Sequence, residues 1–549
     1  MVIYQVFTRL FGVDAGIRVA HGTKQQNGCG TMSAFTPKAL REIKSLGVTH
    51  VWYTGIIEHA TKTDYSAYGI RRDNPAVVKG EAGSPYAIKD YYDVDPDLAV
   101  NVDKRMKEFE QLVGRTHKAG LGVILDFVPN HVAREYHSDV KPRGVKDLGE
   151  GDDTSYHFSP QNNFYYLWDR LHLENIPGYR GTYVETPARA TGNDAFTEWP
   201  SVNDWYETIK LNYGVDVIGG RSCHFDPIPN TWLKMTDILL FWAGKGIDGF
   251  RCDMAEMVPV EFWHYAIARV KEQYPDIIFI AEIYNPGAYR SYISYGGFDY
   301  LYDKVGLYDT LRGVTCGAST HEITRAWQAV DDIRDHMLNF LENHDEQRIA
   351  SDFFAADARK GRAALLVSAL MGKNPYMQYF GQELGEKGMD EEGFSGSDGR
   401  TTIFDYWNVD TIQRWRNGGK FDGKLLTESE KSLQDFTRKV LMAKHEEASL
   451  AEGDFYDLMY VNGHLQQQYA FLRRKDDEVC LILANFADYI GKVTIWLPQH
   501  VFDFYSMEPQ YKRNALDIIT GREYSIAWTP EVPVEVEVSG YNGLILKLK

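Results

Sequence analysis

Gly122-Val-Ile-Leu-Asp-Phe-Val-Pro-Asn-His131 is an apolar run that ends in a polar cluster. Its apolar residues do not alternate with polar ones, so the strand they form is covered on both faces, as in a parallel sheet flanked by helices. Just upstream, residues 102–119 place Met106, Phe109, Leu112 and Val113 on one helical face, and Gly120 ends the helix. Helix, tight turn and buried strand make a βα repeat.

The same unit recurs on either side. A strand over residues 2–10 precedes a helix over 35–47, with Thr36 as N-cap, Pro37 in the first turn and Leu40, Ile43 and Leu46 on one face. A strand at 48–54 follows, and further buried-type strands read at 247–252, 277–280, 337–341 and 375–380, with a helix at 232–243. The later runs end in polar residues: Asp126 to His131, Arg251 to Asp253, Glu282, Asn343 to Asp345, and Gln382-Glu383. No Gly-rich phosphate loop favours an open nucleotide-binding sheet. In a closed (β/α)8 TIM barrel those strand ends converge on one mouth, where active sites lie. The fold class expected is therefore α/β, a TIM barrel.

Two stretches break the pattern. About 100 residues rich in Asp, Asn, Gly, Pro and Tyr separate His131 from the helix near Asn230, too many for a connecting loop, so a subdomain inserted after strand 3 is expected. From residue 449 short strands at 468–472, 479–484, 493–497 and 534–538 imply a C-terminal antiparallel β-sandwich. The division expected is a barrel of 1–131 plus 230–448, an insertion of 132–229 and a β domain of 449–549, in keeping with the size at which single cores stop growing.

The 549 residues carry a formal net charge of -18 and no basic cluster, which excludes a nucleic-acid partner. No apolar run approaches membrane-spanning length. Five scattered cysteines without metal spacing read as buried free thiols. Aromatics at 13% are numerous enough to supply sugar-stacking faces as well as core. No signal peptide precedes the first strand, which places a full-length chain in the cytoplasm and a trimmed one outside it.

Retaining glycoside hydrolysis needs two carboxyl groups about 5 to 5.5 Å apart, one to attack the anomeric carbon and one to protonate the leaving oxygen. Asp253 and Glu282 lie one βα unit apart and can end adjacent strands. With them stand four ordered motifs: Asp126-Phe-Val-Pro-Asn-His131, Gly249-Phe-Arg-Cys-Asp253, Ala281-Glu-Ile283 and Asn343-His-Asp345. In these the chain resembles glycoside hydrolase family 13, the α-amylase superfamily, over nearly its whole length.

The resemblance implies roles position by position. Asp253 is the expected nucleophile, kept ionised by Arg251, and Glu282 the acid/base. Asp345 is the third acid, gripping sugar hydroxyls. His131 and His344 bind the sugar at the cleaved position, and Tyr86, in Ser84-Pro-Tyr-Ala-Ile-Lys-Asp90, stacks beneath it. Gly381-Gln-Glu383 resembles the eighth-strand motif. No cofactor is required for the chemistry. Asn130 matches a position that binds a structural calcium in many relatives, and otherwise serves as a hydrogen-bonding strand-end residue. Where amylases often carry Lys-His after the nucleophile, this chain has Glu256-Met257. The expected function is hydrolysis of α-glucosidic bonds, α-1,4 foremost, in starch or malto-oligosaccharides. A transglycosylase, an α-glucoside isomerase and a non-catalytic glycan-binding barrel stay open as alternatives.

Overall fold

The structure is a computed structural model that describes residues 1–14, 16–177, 179, 181–388 and 397–549. Eight parallel strands close into a barrel: β1 (Val2–Phe7), β2 (His50–Thr54), β3 (Gly122–Phe127), β4 (Gly249–Cys252), β5 (Ile278–Ala281), β6 (Tyr300–Tyr302), β7 (Met337–Phe340) and β8 (Tyr376–Tyr379). Each strand pairs with its neighbours in sequence, and β8 closes on β1. The barrel expected from the strand ends is the one observed.

Both faces of these strands are buried, which is why they lack alternation. Ile3, Trp52, Ile124, Ile280, Tyr302, Leu338 and Met377 fill the barrel interior. The intervening residues, such as Val51, Tyr53, Val123, Leu125, Phe250 and Phe279, point outward to the helices. Among those helices Pro37–Ser45 begins as expected, with the Thr36 side chain accepting from the Ala39 N–H. A barrel packed with side chains is no pore, so function belongs to the loops at its C-terminal mouth.

Between β3 and the helix Asn230–Ala243 the chain forms little regular structure. His131–Ala133 pairs antiparallel with Thr208–Lys210, and a small core gathers Leu167, Leu171, Leu173, Ile176, Ala188 and Tyr206. Val77, from the connection after β2, joins that core, so two connections build the overhang. After the helix Glu428–Glu446 the chain enters a six-stranded antiparallel sheet with a separate two-stranded ribbon, Gly491–Ile495 with Val534–Val538.

All five cysteines are free thiols, but only Cys252 and Cys480 are buried; Cys223 and Cys316 are exposed, contrary to the expectation that all would be interior. Among the described residues no helix is long and apolar enough to cross a membrane.

Candidate active site

Strand register places the first two acids. Cys252 of β4 pairs with Ala281 of β5, so Asp253 and Glu282 leave the barrel side by side at one height, on strands spaced about 4.8 Å apart. The ladder continues through them: the Asp253 N–H donates to Phe127 O at 2.9 Å and the Glu282 N–H to Cys252 O at 3.1 Å. Met254 then turns in the left-handed region, φ 42°, and its N–H donates to Glu282 Oε2 at 2.8 Å. The Tyr284 hydroxyl donates to Glu282 Oε1.

Arg251 lies between these acids. It is fully buried, ringed by Trp52, Tyr86 and Tyr302 at 5.2, 5.5 and 5.4 Å from their ring centres. Its Nη1 donates to Asp253 Oδ1 at 2.6 Å, and its Nη2 makes an ion pair with Glu282 Oε2 at 2.7 Å. Asp126, its register partner on β3, is 3.5 Å away and also accepts from Trp52 Nε1 at 2.8 Å. One guanidinium thus serves several carboxylates in a site removed from water.

The charge balance differs from the expected private pair. Arg251 does not hold Asp253 low on its own: burial pushes that carboxyl well above its usual value, and Arg251 only opposes the shift. Burial likewise lifts Asp126 to about 6, again against Arg251. Asp345, whose side chain is 39% exposed at the cavity, is raised by partial desolvation and then by the charge of Glu282.

Asp345 arrives from the loop after β7, where the Asn343 side chain accepts its N–H at 2.9 Å and fixes the turn. His344 joins it to the barrel. Gln5 Nε2 donates to His344 Nδ1 at 2.8 Å, which leaves the ring proton on Nε2, 3.1 Å from Asp345 Oδ2. Burial keeps His344 well below the usual histidine range, with Arg251 adding to the effect, so the ring is neutral. Tyr86 stacks on His344 with ring centres 5.0 Å apart and planes 23° apart. His131, pushed down to about 3 by burial and then by Lys210, faces Trp205 at 5.1 Å.

A cavity of about 420 Å³ opens above these groups, a size normal for small-ligand sites. Tyr86, His131, Asp253, Glu282, His344 and Asp345 all line it. Arg251 is not among the lining groups; it supports the floor from beneath. The structure adds groups that sequence reading missed: Trp205 and the ion pair Lys79–Glu207 (2.9 Å) from the overhang, Tyr284, and the segment Arg400 to Phe404. Tyr284 could have been found, two residues beyond Glu282. The others reach the cavity from distant loops with no motif of their own. Glu383 lies outside it, buried, accepting from the Tyr4 hydroxyl at 2.8 Å.

Asn130 does not meet the calcium expectation. Its Oδ1 accepts from Lys210 Nζ at 2.8 Å, and its Nδ2 donates to Gly192 O at 2.7 Å. The position where a cation would meet that oxygen is held by an ammonium, and calcium needs six to eight free oxygen donors. The residues present do not fit the metal.

Comparison with known proteins agrees with this architecture. The family model described as "Alpha amylase, catalytic domain" matches residues 18–216 and 224–467. The chain is similar to the α-amylase MalA of Haloarcula japonica, 22% identical over 506 residues covering 90% of this chain and 56% of that protein. It is also similar to maltase A1 of Drosophila melanogaster, 24% identical over 275 residues covering 50% of this chain and 37% of that protein. It thus spans about half the length, or less, of these curated relatives. The crystal structure of the Geobacillus thermoleovorans α-amylase, complexed with acarbose, superimposes with a TM-score of 0.66 at 19% identity, covering 100% of this chain and 98% of that one. Barrel, strand-end acids and a match across most of the chain assign it together: the protein belongs to the α-amylase family of glycoside hydrolases.

Proposed function

We propose that this protein is a retaining α-glucan hydrolase that cleaves α-glucosidic bonds, α-1,4 foremost, in starch or malto-oligosaccharides. The observation that carries the reading is the placement of Asp253 and Glu282 on adjacent strand ends, sharing one guanidinium, with Asp345 at the same cavity. A shared fork keeps the two carboxylates close, which favours nucleophilic attack by one of them over the wider spacing that admits a water between acid and base.

In the first step the one proton the pair holds lies on Glu282: the Asp253 carboxylate attacks the anomeric carbon, the glycosidic C–O bond breaks, and Glu282 passes that proton to the departing oxygen. In the second step Glu282 takes a proton from water, whose oxygen displaces Asp253 from the sugar. Arg251 compensates the negative charge that moves between the two acids. Tyr86 supplies an apolar face for the sugar, and His131 and neutral His344 offer ring nitrogens to its hydroxyls. Asp345 grips hydroxyls as the ring flattens towards the oxocarbenium-like transition state. The amylases and maltases among its relatives support the substrate class.

Chromatography of products from maltose, isomaltose, pullulan and soluble starch tests this. Release of sugars with retained anomeric configuration from α-1,4 substrates is expected. Absence of turnover on every α-glucan by folded protein would overturn the proposal, and products longer than the substrate would indicate transglycosylation.

A further inference from the structure

At Asn130, where the family resemblance implied a calcium, the fold brings up a lysine side chain instead. Lys210 is 4% exposed, and its backbone is fixed by pairing with His131, the residue next to Asn130. Its Nζ contacts Asn130 Oδ1 at 2.8 Å and makes an ion pair with Asp194 Oδ1 at 2.5 Å. Asp194 comes from the overhang and also faces Arg221 at 3.7 Å. One ammonium therefore ties the end of β3 to two separate parts of the inserted segment.

We propose that the Lys210 ammonium is the resident cation of this position, occupying the place of a structural metal and joining the overhang to the barrel in its stead. An ammonium carries its charge at one atom and three N–H donors, enough to satisfy the Asn130 oxygen and the Asp194 carboxylate. The Asp194 carboxylate at 2.5 Å supplies the counter-ion that a buried ammonium needs. A divalent ion bound to the same oxygens would sit against the like charge of an ammonium whose backbone is held beside them by strand pairing. The arrangement bears on the active site: Asn130 Nδ2 lies 3.2 Å from His131 Nδ1, so the cation positions a ring that lines the cavity.

Elsewhere Glu58, Asp90 and Asp93 form the group of acids, among the described residues, close enough to share a metal. Calcium binding there has to be told apart from binding at Asn130, and the experiment does so.

Protein stripped with EDTA is titrated with CaCl2 by calorimetry and melted in EDTA and in millimolar CaCl2. For the wild type, neither calcium binding nor a calcium-dependent rise in melting temperature that depends on Asp194 is expected. Lys210→Met should lower the melting temperature by roughly 3 °C or more, since it leaves Asp194 without its buried partner. Lys210→Ala, which also opens space, should gain a calcium-dependent rise in melting temperature that the wild type lacks. Wild-type calcium binding or stabilisation that disappears in Asp194→Asn would overturn the assignment, and this reading does not require the lysine variants to fold. Binding that survives Asp194→Asn lies elsewhere and counts for it.

Discussion

Replacing Arg251 by methionine removes a guanidinium that contacts Asp253 at 2.6 Å, Glu282 at 2.7 Å and Asp126 at 3.5 Å. At an effective dielectric constant near 20, each close contact is worth about 4 kcal/mol of gross attraction. The carboxylates stay buried without it, and the net cost of breaking such a pair is about 3–5 kcal/mol. The loss depends on pH, and its sign follows from linkage. Asp253 and Asp126 already have folded-state pKa values above their unfolded ones, and in both Arg251 opposes the rise. A carboxyl raised in the folded state contributes stability at acid pH that is lost as pH climbs through the folded pKa. Removing Arg251 raises these groups further, so the deficit against wild type should be small near pH 4.5 and largest near pH 8. Thermal melting of both proteins across that range measures it. Arg251→Lys restores a charge but not a fork that reaches two acids at once, so it should recover much of the stability and little of the activity. A deficit that is constant with pH, or full activity in the lysine variant, would refute the shared-cation reasoning.

Asp253→Asn and Glu282→Gln, each checked to be folded, should lower kcat/KM by several kcal/mol of transition-state stabilisation, and near-wild-type turnover in either would end the roles given to them. Tyr86→Ala removes the ring stacked on His344 and should weaken substrate binding at the cleaved position, read as a rise in KM for maltotriose. Burial pushes Glu383 up to about 7, so its contribution to stability is present at acid pH and lost as pH rises through 7. Glu383→Gln does not titrate, and its stability relative to wild type should therefore improve between pH 5 and pH 8 by up to about 3 kcal/mol, as followed by chemical denaturation.

Seven of the eight barrel strands were legible because unbroken apolar runs followed by polar residues leave few other readings. Tyr300–Tyr302 escaped: it is three residues long and lies between Asp299 and Asp303, too short to show a period. The acids were legible for a related reason, since a strand end fixes where its next residue goes, and the pairing of Cys252 with Ala281 turns a separation in sequence into lateral contact. What the sequence concealed depends on register between distant segments. Lys210 meets Asn130 only because Thr208–Lys210 pairs with His131–Ala133 across a long stretch of irregular chain. The same holds for charge. Arg251 near Asp253 in sequence reads as a private ion pair, yet the lateral pairing of β3, β4 and β5 brings Glu282 and Asp126 to the same guanidinium, which they share. A motif thus announces which groups a site contains, while their protonation is a property of every charge the fold gathers around them, and that sum exists only once the strands are in register.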